Sequence, residues 1–122
     1  MDDIGSRPAS NGMKKFLVLY RMDMAAMQKM METMSPEQQK EGMAEWGKWM
    51  EVNKAMFADI GAPAGKNTQV STSGSKEESN DIGGYSIVQA ESLEAVTKLL
   101  EGSPHLKMPG AKCDVMELMP MS

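Results

Sequence analysis

The run MKKFLVLYRM, starting at Met13, limits the fold of this chain more than any other segment. Its β-branched and aromatic character and its length predict a strand. Side chains alternate along a strand, so Phe16, Val18 and Tyr20 share one face while Leu17 and Leu19 share the other. Both faces are apolar, and such a strand must be covered twice. The chain has 122 residues, which is one domain's worth. Its own helices can cover one side of a sheet, and something else has to cover the other.

The remaining segments supply those helices. DMAAMQKMMETM predicts a first helix, whose Met24, Met27, Met31 and Met34 step at helical spacing. Of the fifteen methionines most lie between Met22 and Met56, and this stripe is expected to be core rather than a soft-metal site. Ser35, Pro36 and Gln38 form a capping box that opens a second helix. Met43, Trp46, Met50, Phe57 and Ile60 follow at helical spacing, so this helix is expected to run to the IGAPAG stop. Gly42 and Gly47 within it suggest close backbone approach to the sheet or to the first helix. KNTQVSTSG predicts a strand centred on Val70, and SGSKEESNDIGG a loop. GGYSIVQA is a strand with two apolar faces. ESLEAVTKLL is an amphipathic helix capped by Ser92, and KCDVMELMP is the last strand.

With the helix pair taken as one crossover, the order is βαββαβ, an α+β ferredoxin-like fold with a four-stranded antiparallel sheet. Right-handed crossovers place the helices on one face. A second copy of the same sheet is the simplest cover for the other, which predicts a two-fold homodimer. Residues 1–12 have no apolar period and are expected to be a disordered leader, or an appendage foreign to the domain at 13–122.

Composition closes off several functions. A net charge of -4 with scattered Lys and Arg leaves no basic stripe for nucleic acid. The longest apolar run, FLVLY, is far short of the roughly 20 residues that span a bilayer, and no signal peptide is visible. Cys113 is the sole cysteine, so no internal disulfide or thiolate metal cage can form, and a reducing cytoplasmic setting is expected. No phosphate loop, zinc spacing or nucleophile elbow is present, and neither metal nor cofactor is expected.

Five residues stand out as candidates for a site. His105, the only histidine, lies in GSPHLKMPG and can serve as a general base, or as a cap on the last carbonyls of the third helix. Arg21, at the end of the first strand, can clamp a carboxylate or stay solvated. Tyr20 beside it can hold a substrate. Tyr85 can reach a ligand at a cleft rim or pack with its hydroxyl satisfied. Trp46, three residues before Trp49, can stack on an aromatic ligand or fill a core. Glu77, Glu78 and Asp81 read as a solvated charge run, and nothing nearby in sequence activates Cys113.

The segments MKKFLVLYRM, WGKWM, DIGGYSIVQAESLEAV and GSPHLKMPG with VMELMPM together resemble the YCII-related (DGPF-domain) proteins, from about Met13 to Met121. The resemblance implies the dimeric α+β barrel superfamily. It also implies a cleft between sheet and helices, in which some members are suspected enzymes with a His and Asp pair. One branch resembles a dehydrochlorinase acting on a chlorinated ring, and other members accompany sigma-factor-like regulators. Here SGSKEESND stands in place of the DGPF box, and His105 is the only imidazole. Three functions follow as expectations. The first is a dimer that binds a small aromatic or carboxylated metabolite. The others are an isomerase or lyase with His105 as base, and an accessory partner of a transcription regulator.

Overall fold

The structure, a computed structural model, describes residues 12–119. The expected leader therefore lies outside the described residues, apart from Gly12. Strand β1 (Lys14–Arg21) runs antiparallel between β5 (Ile82–Ala90) and β6 (Lys112–Glu117), and β2 (Phe57–Pro63) flanks β5, so the sheet order is β2-β5-β1-β6. Helices α1 (Met24–Thr33) and α2 (Pro36–Val52) connect β1 to β2, and α3 (Leu93–Glu101) connects β5 to β6. This is the expected α+β ferredoxin-like βαββαβ arrangement. A separate hairpin of β3 (Thr68–Ser71) and β4 (Gly74–Glu77) is inserted before β5.

The alternation of β1 is realised in full. Phe16, Val18 and Tyr20 are buried together with Val88 and Ala90 of β5 and Val96, Leu99 and Leu100 of α3. Trp46 and Trp49 of α2 pack at the border of this core. On the opposite face the register sets Leu17 beside Ile87 and Met116, and Leu19 beside Tyr85 and Asp114. The capping box forms as expected: Ser35 Oγ accepts from the Gln38 amide at 3.1 Å, and Gln38 Oε1 accepts from the Ser35 amide at 2.9 Å.

Four expectations are corrected. Helix α2 ends at Val52, and after a 3-10 turn at Lys54–Met56 the chain extends into β2. Phe57 reaches the core from this strand, edge-on to Trp49 at 5.5 Å, and Ile60 is half exposed, so their helical spacing with Met50 was fortuitous. Second, the segment around Val70 is not a strand of the main sheet. It belongs to the hairpin, where Val70 is 75% exposed, and β4 forms within the stretch read as a loop. Third, no residue of α1 is buried, so its methionine stripe is not core: the core is built from β1, β5 and α3, with Trp46 and Trp49 of α2 partly buried against it. Finally, a Cβ on Gly42 or Gly47 would meet nothing within 4 Å, so neither glycine serves a close approach.

Candidate functional site

A cleft of about 340 Å³ opens where the ends of β1 and β5 meet α2 and the edge strand β2. Its walls come from Tyr20 and Met22, Trp46 and Met50, the segment Ile60 to Pro63, the segment Gly83 to Ser86, and His105. Two glycines allow the strands to close around it. Gly61 has φ +81°, and a Cβ there would fall 1.7 Å from the Tyr85 carbonyl oxygen. Gly84 is the direct partner of Tyr20, and a Cβ on it would press on the Ala62 carbonyl oxygen at 3.0 Å.

The lining is mostly apolar and carries three polar side chains. The Tyr20 hydroxyl donates to Ser86 Oγ at 3.0 Å, and Ser86 Oγ donates to the Ile60 carbonyl at 2.7 Å. Each proton in this relay points away from Tyr20, which leaves the phenol oxygen a lone pair to offer as acceptor. Burial pushes the Tyr20 phenol above its ordinary range, so it stays neutral.

The third polar group is His105, held in a 3-10 turn at Pro104–Lys107 with its amide donating to Ser103 Oγ at 3.1 Å. Its side chain is fully buried, edge-on to Tyr20 at 5.4 Å and tilted against Trp46 at 6.3 Å. Nε2 lies 2.8 Å from the Arg21 carbonyl oxygen and 3.2 Å from that of Lys112. Carbonyls only accept, so Nε2 must carry hydrogen, and in the neutral ring Nδ1 is the bare nitrogen. Nδ1 has no hydrogen-bond partner among the described residues. The carbonyls that His105 caps belong to β1 and β6. The end of α3 is closed by the Gly102 and Ser103 amides instead.

Tyr20, Trp46 and His105 thus meet in one place. Tyr85 lines the cleft through its backbone, because strand alternation turns its ring to the other face of the sheet beside Leu19. Arg21 does not line the cleft. Its guanidinium grips Asp81 in a fork, Nε to Oδ1 at 2.9 Å and Nη2 to Oδ2 at 3.0 Å, and reaches Asp114 Oδ2 at 2.6 Å. It does clamp carboxylates, but they are the protein's own. Asp81 is accordingly an ion-pair member rather than part of a solvated run, and Arg21 holds its carboxyl below the usual range. Cys113 sits opposite Tyr20 on β6, where burial and then Asp114 push its thiol up to about 11.

Sequence reading missed Ser86 and the roles of Gly61 and Gly84. The signal was there: Ser86 is a lone hydroxyl at the inward parity of GGYSIVQA, shared with Val88 and Ala90. A buried hydroxyl at such a position needs a partner, and Tyr20 is in reach.

No protein-family model and no curated protein matches the chain. Among solved structures, the 5-chloro-2-hydroxyhydroquinone dehydrochlorinase (TftG) of Burkholderia phenoliruptrix AC1100, in complex with 2,5-dihydroxybenzoquinone, superposes with a TM-score of 0.50. The match covers 82% of this chain and 90% of that one at 19% sequence identity. A likeness at that identity shows the fold alone, the α+β arrangement described above. No helix among the described residues is long and apolar enough to cross a membrane.

Proposed function

We propose that the cleft binds a small, uncharged aromatic ring, with Trp46 and Tyr20 as its apolar walls and His105 Nδ1 as its polar anchor. The carrying observation is that His105, buried in the wall of a mostly apolar cleft, has Nε2 committed to two backbone carbonyls and Nδ1 without a partner among the described residues. A ligand hydroxyl reaching Nδ1 would supply the missing donor. A volume of about 340 Å³ suits a single substituted ring. No Lys or Arg lines the cleft among the described residues, which favours an uncharged ring over the carboxylated metabolite also expected from sequence. The single-ring ligand in the neighbour's complex points the same way. An open cleft, where a purely accessory partner of a regulator would have a filled core, speaks against that third reading.

The same observation favours a second reading, an isomerase or lyase. A histidine whose Nε2–H is held by backbone carbonyls offers Nδ1 as a general base toward a bound hydroxyl or acidic C–H. Membership of the YCII-related family and assembly as a homodimer through the open sheet face belong to the same proposal. The likeness of fold and the apolar Leu17, Leu19 and Ile87 support them.

Tryptophan fluorescence during titration with hydroxylated single-ring compounds tests the binding reading. Saturable quenching is expected, lost in Trp46→Ala and weakened about tenfold in His105→Phe, which removes one hydrogen bond of ordinary strength to a buried group. No saturable change with folded protein at millimolar ligand would rule the reading out. Turnover of any compound that binds would decide for the enzyme.

A further inference from the structure

We infer that Arg21 is a positioning residue whose side chain, locked on the open face of the sheet, fixes the tautomer of the imidazole on the opposite face. The inference deepens the proposed role of His105 and rests on it for its functional meaning, though not for its test.

The geometry starts from a register slip. Tyr20 pairs with Gly84, but Arg21 pairs with Ile82, so β1 is irregular against β5 at its last step. The Arg21 carbonyl accepts from His105 Nε2 at 2.8 Å. On the other side Arg21 pairs with Lys112, the first residue of β6, whose carbonyl accepts from the same nitrogen at 3.2 Å. The imidazole therefore closes the open end of the β1–β6 ladder with one N–H shared by two strands.

Strand ends fray unless something ties them. Here the tie is the Arg21 side chain. Its fork onto Asp81 anchors β1 to the segment before β5, and the Asp81 carbonyl takes the Met22 amide at 2.9 Å, so the chain is held at Arg21 and at the residue after it. Its third nitrogen reaches Asp114, two residues beyond Lys112 on β6. The two carbonyls that hold Nε2 are thus fixed by one guanidinium bridging three segments. Partly exposed ion pairs contribute little to stability, and the value of a bidentate fork is orientation. Lysine, with one charged nitrogen on a flexible stem, cannot bridge both carboxylates in the same way.

The chain has a single histidine, so long-range ¹H–¹⁵N correlation spectra read its tautomer without overlap. In the ligand-free protein with a neutral ring, the Nε2–H form is expected to dominate. Arg21→Lys and Asp114→Asn are each expected to lower the ratio of Nε2–H to Nδ1–H by about fivefold to tenfold, as loosening one hydrogen bond would. Lys66→Met, at an exposed ion pair away from the cleft, should leave it unchanged. Asp114→Asn is isosteric and carries the test if Arg21→Lys fails to fold. A wild-type ratio in folded Asp114→Asn and Arg21→Lys proteins would overturn the inference, as would an Nδ1–H tautomer in the wild type. These spectra need no ligand, so a shifted ratio supports the positioning role even where no ring binds.

Discussion

Tyr20 reaches diagonally across β5 to give its hydroxyl proton to Ser86 Oγ at 3.0 Å, past its direct partner Gly84, which has no side chain to block the path. This contact joins two adjacent strands at the floor of the cleft, and it passes on to β2 through the Ile60 carbonyl. Three strands are thereby held at the point where the walls must keep their spacing.

Ser86→Ala leaves the buried Tyr20 hydroxyl without its acceptor, and should cost about 1–3 kcal/mol in urea unfolding. Tyr20→Phe removes the donor but leaves Ser86 bonded to Ile60, so a smaller loss of about 0.5–1.5 kcal/mol is expected. Equal stability of the Ser86→Ala protein and wild type would show that the relay holds nothing together.

Asp81 gives a pH signature of known sign. The Arg21 guanidinium depresses its carboxyl in the folded protein, so the pair's contribution is fully present above the ordinary carboxylate pKa of about 3.9 and is lost as pH falls through the lower folded value. The Tm gap between wild type and Asp81→Asn should therefore be constant from about pH 8 down to about pH 5 and shrink toward about pH 2. A gap that widens on acidification would contradict the assignment.

Cys113 should react slowly. Burial keeps it a thiol at neutral pH, and only the thiolate attacks a disulfide reagent. Labelling with an aromatic disulfide at about pH 8 should be slow in the native protein and fast in denaturant, where the thiol returns to about 8.5. Equally fast labelling in both would show that the site is open.

The open sheet face should hold two copies together. Leu17, Leu19 and Ile87 lie on it with Met116, which is 45% exposed. An interface of standard size, about 1,600 Å² in total, would cover such a patch. Leu19→Asp puts a charge at its centre and should give monomer or aggregate by sedimentation velocity, against a dimer for the wild type. A folded wild-type monomer at micromolar concentration would sink the dimer.

The sequence by itself determined the βαββαβ pattern, though with its second strand placed too late in the chain, the inner and outer faces of β1, and the N-caps at Ser35 and Ser92. Each depends on periodicity or on a local hydrogen bond, which neighbouring residues fix. It did not determine where α2 stops. Phe57 and Ile60 keep a helical period, and only the docking of FADIGAP against β5, with Gly61 against the Tyr85 carbonyl, makes that segment a strand. The methionine stripe of α1 was legible as one face of a helix, but not as a face left outside the core, because burial depends on tertiary packing rather than on period. The candidate site divides in the same way. His105, Tyr20 and Trp46 were visible as chemistry-bearing residues, while Ser86 went unnoticed and Arg21 read as either a ligand clamp or a solvated charge. Whether an arginine meets a ligand or two aspartates 60 and 93 residues away is decided by strand pairing. Which nitrogen of His105 is bare is decided by two carbonyls, on β1 and β6, that no local pattern brings together.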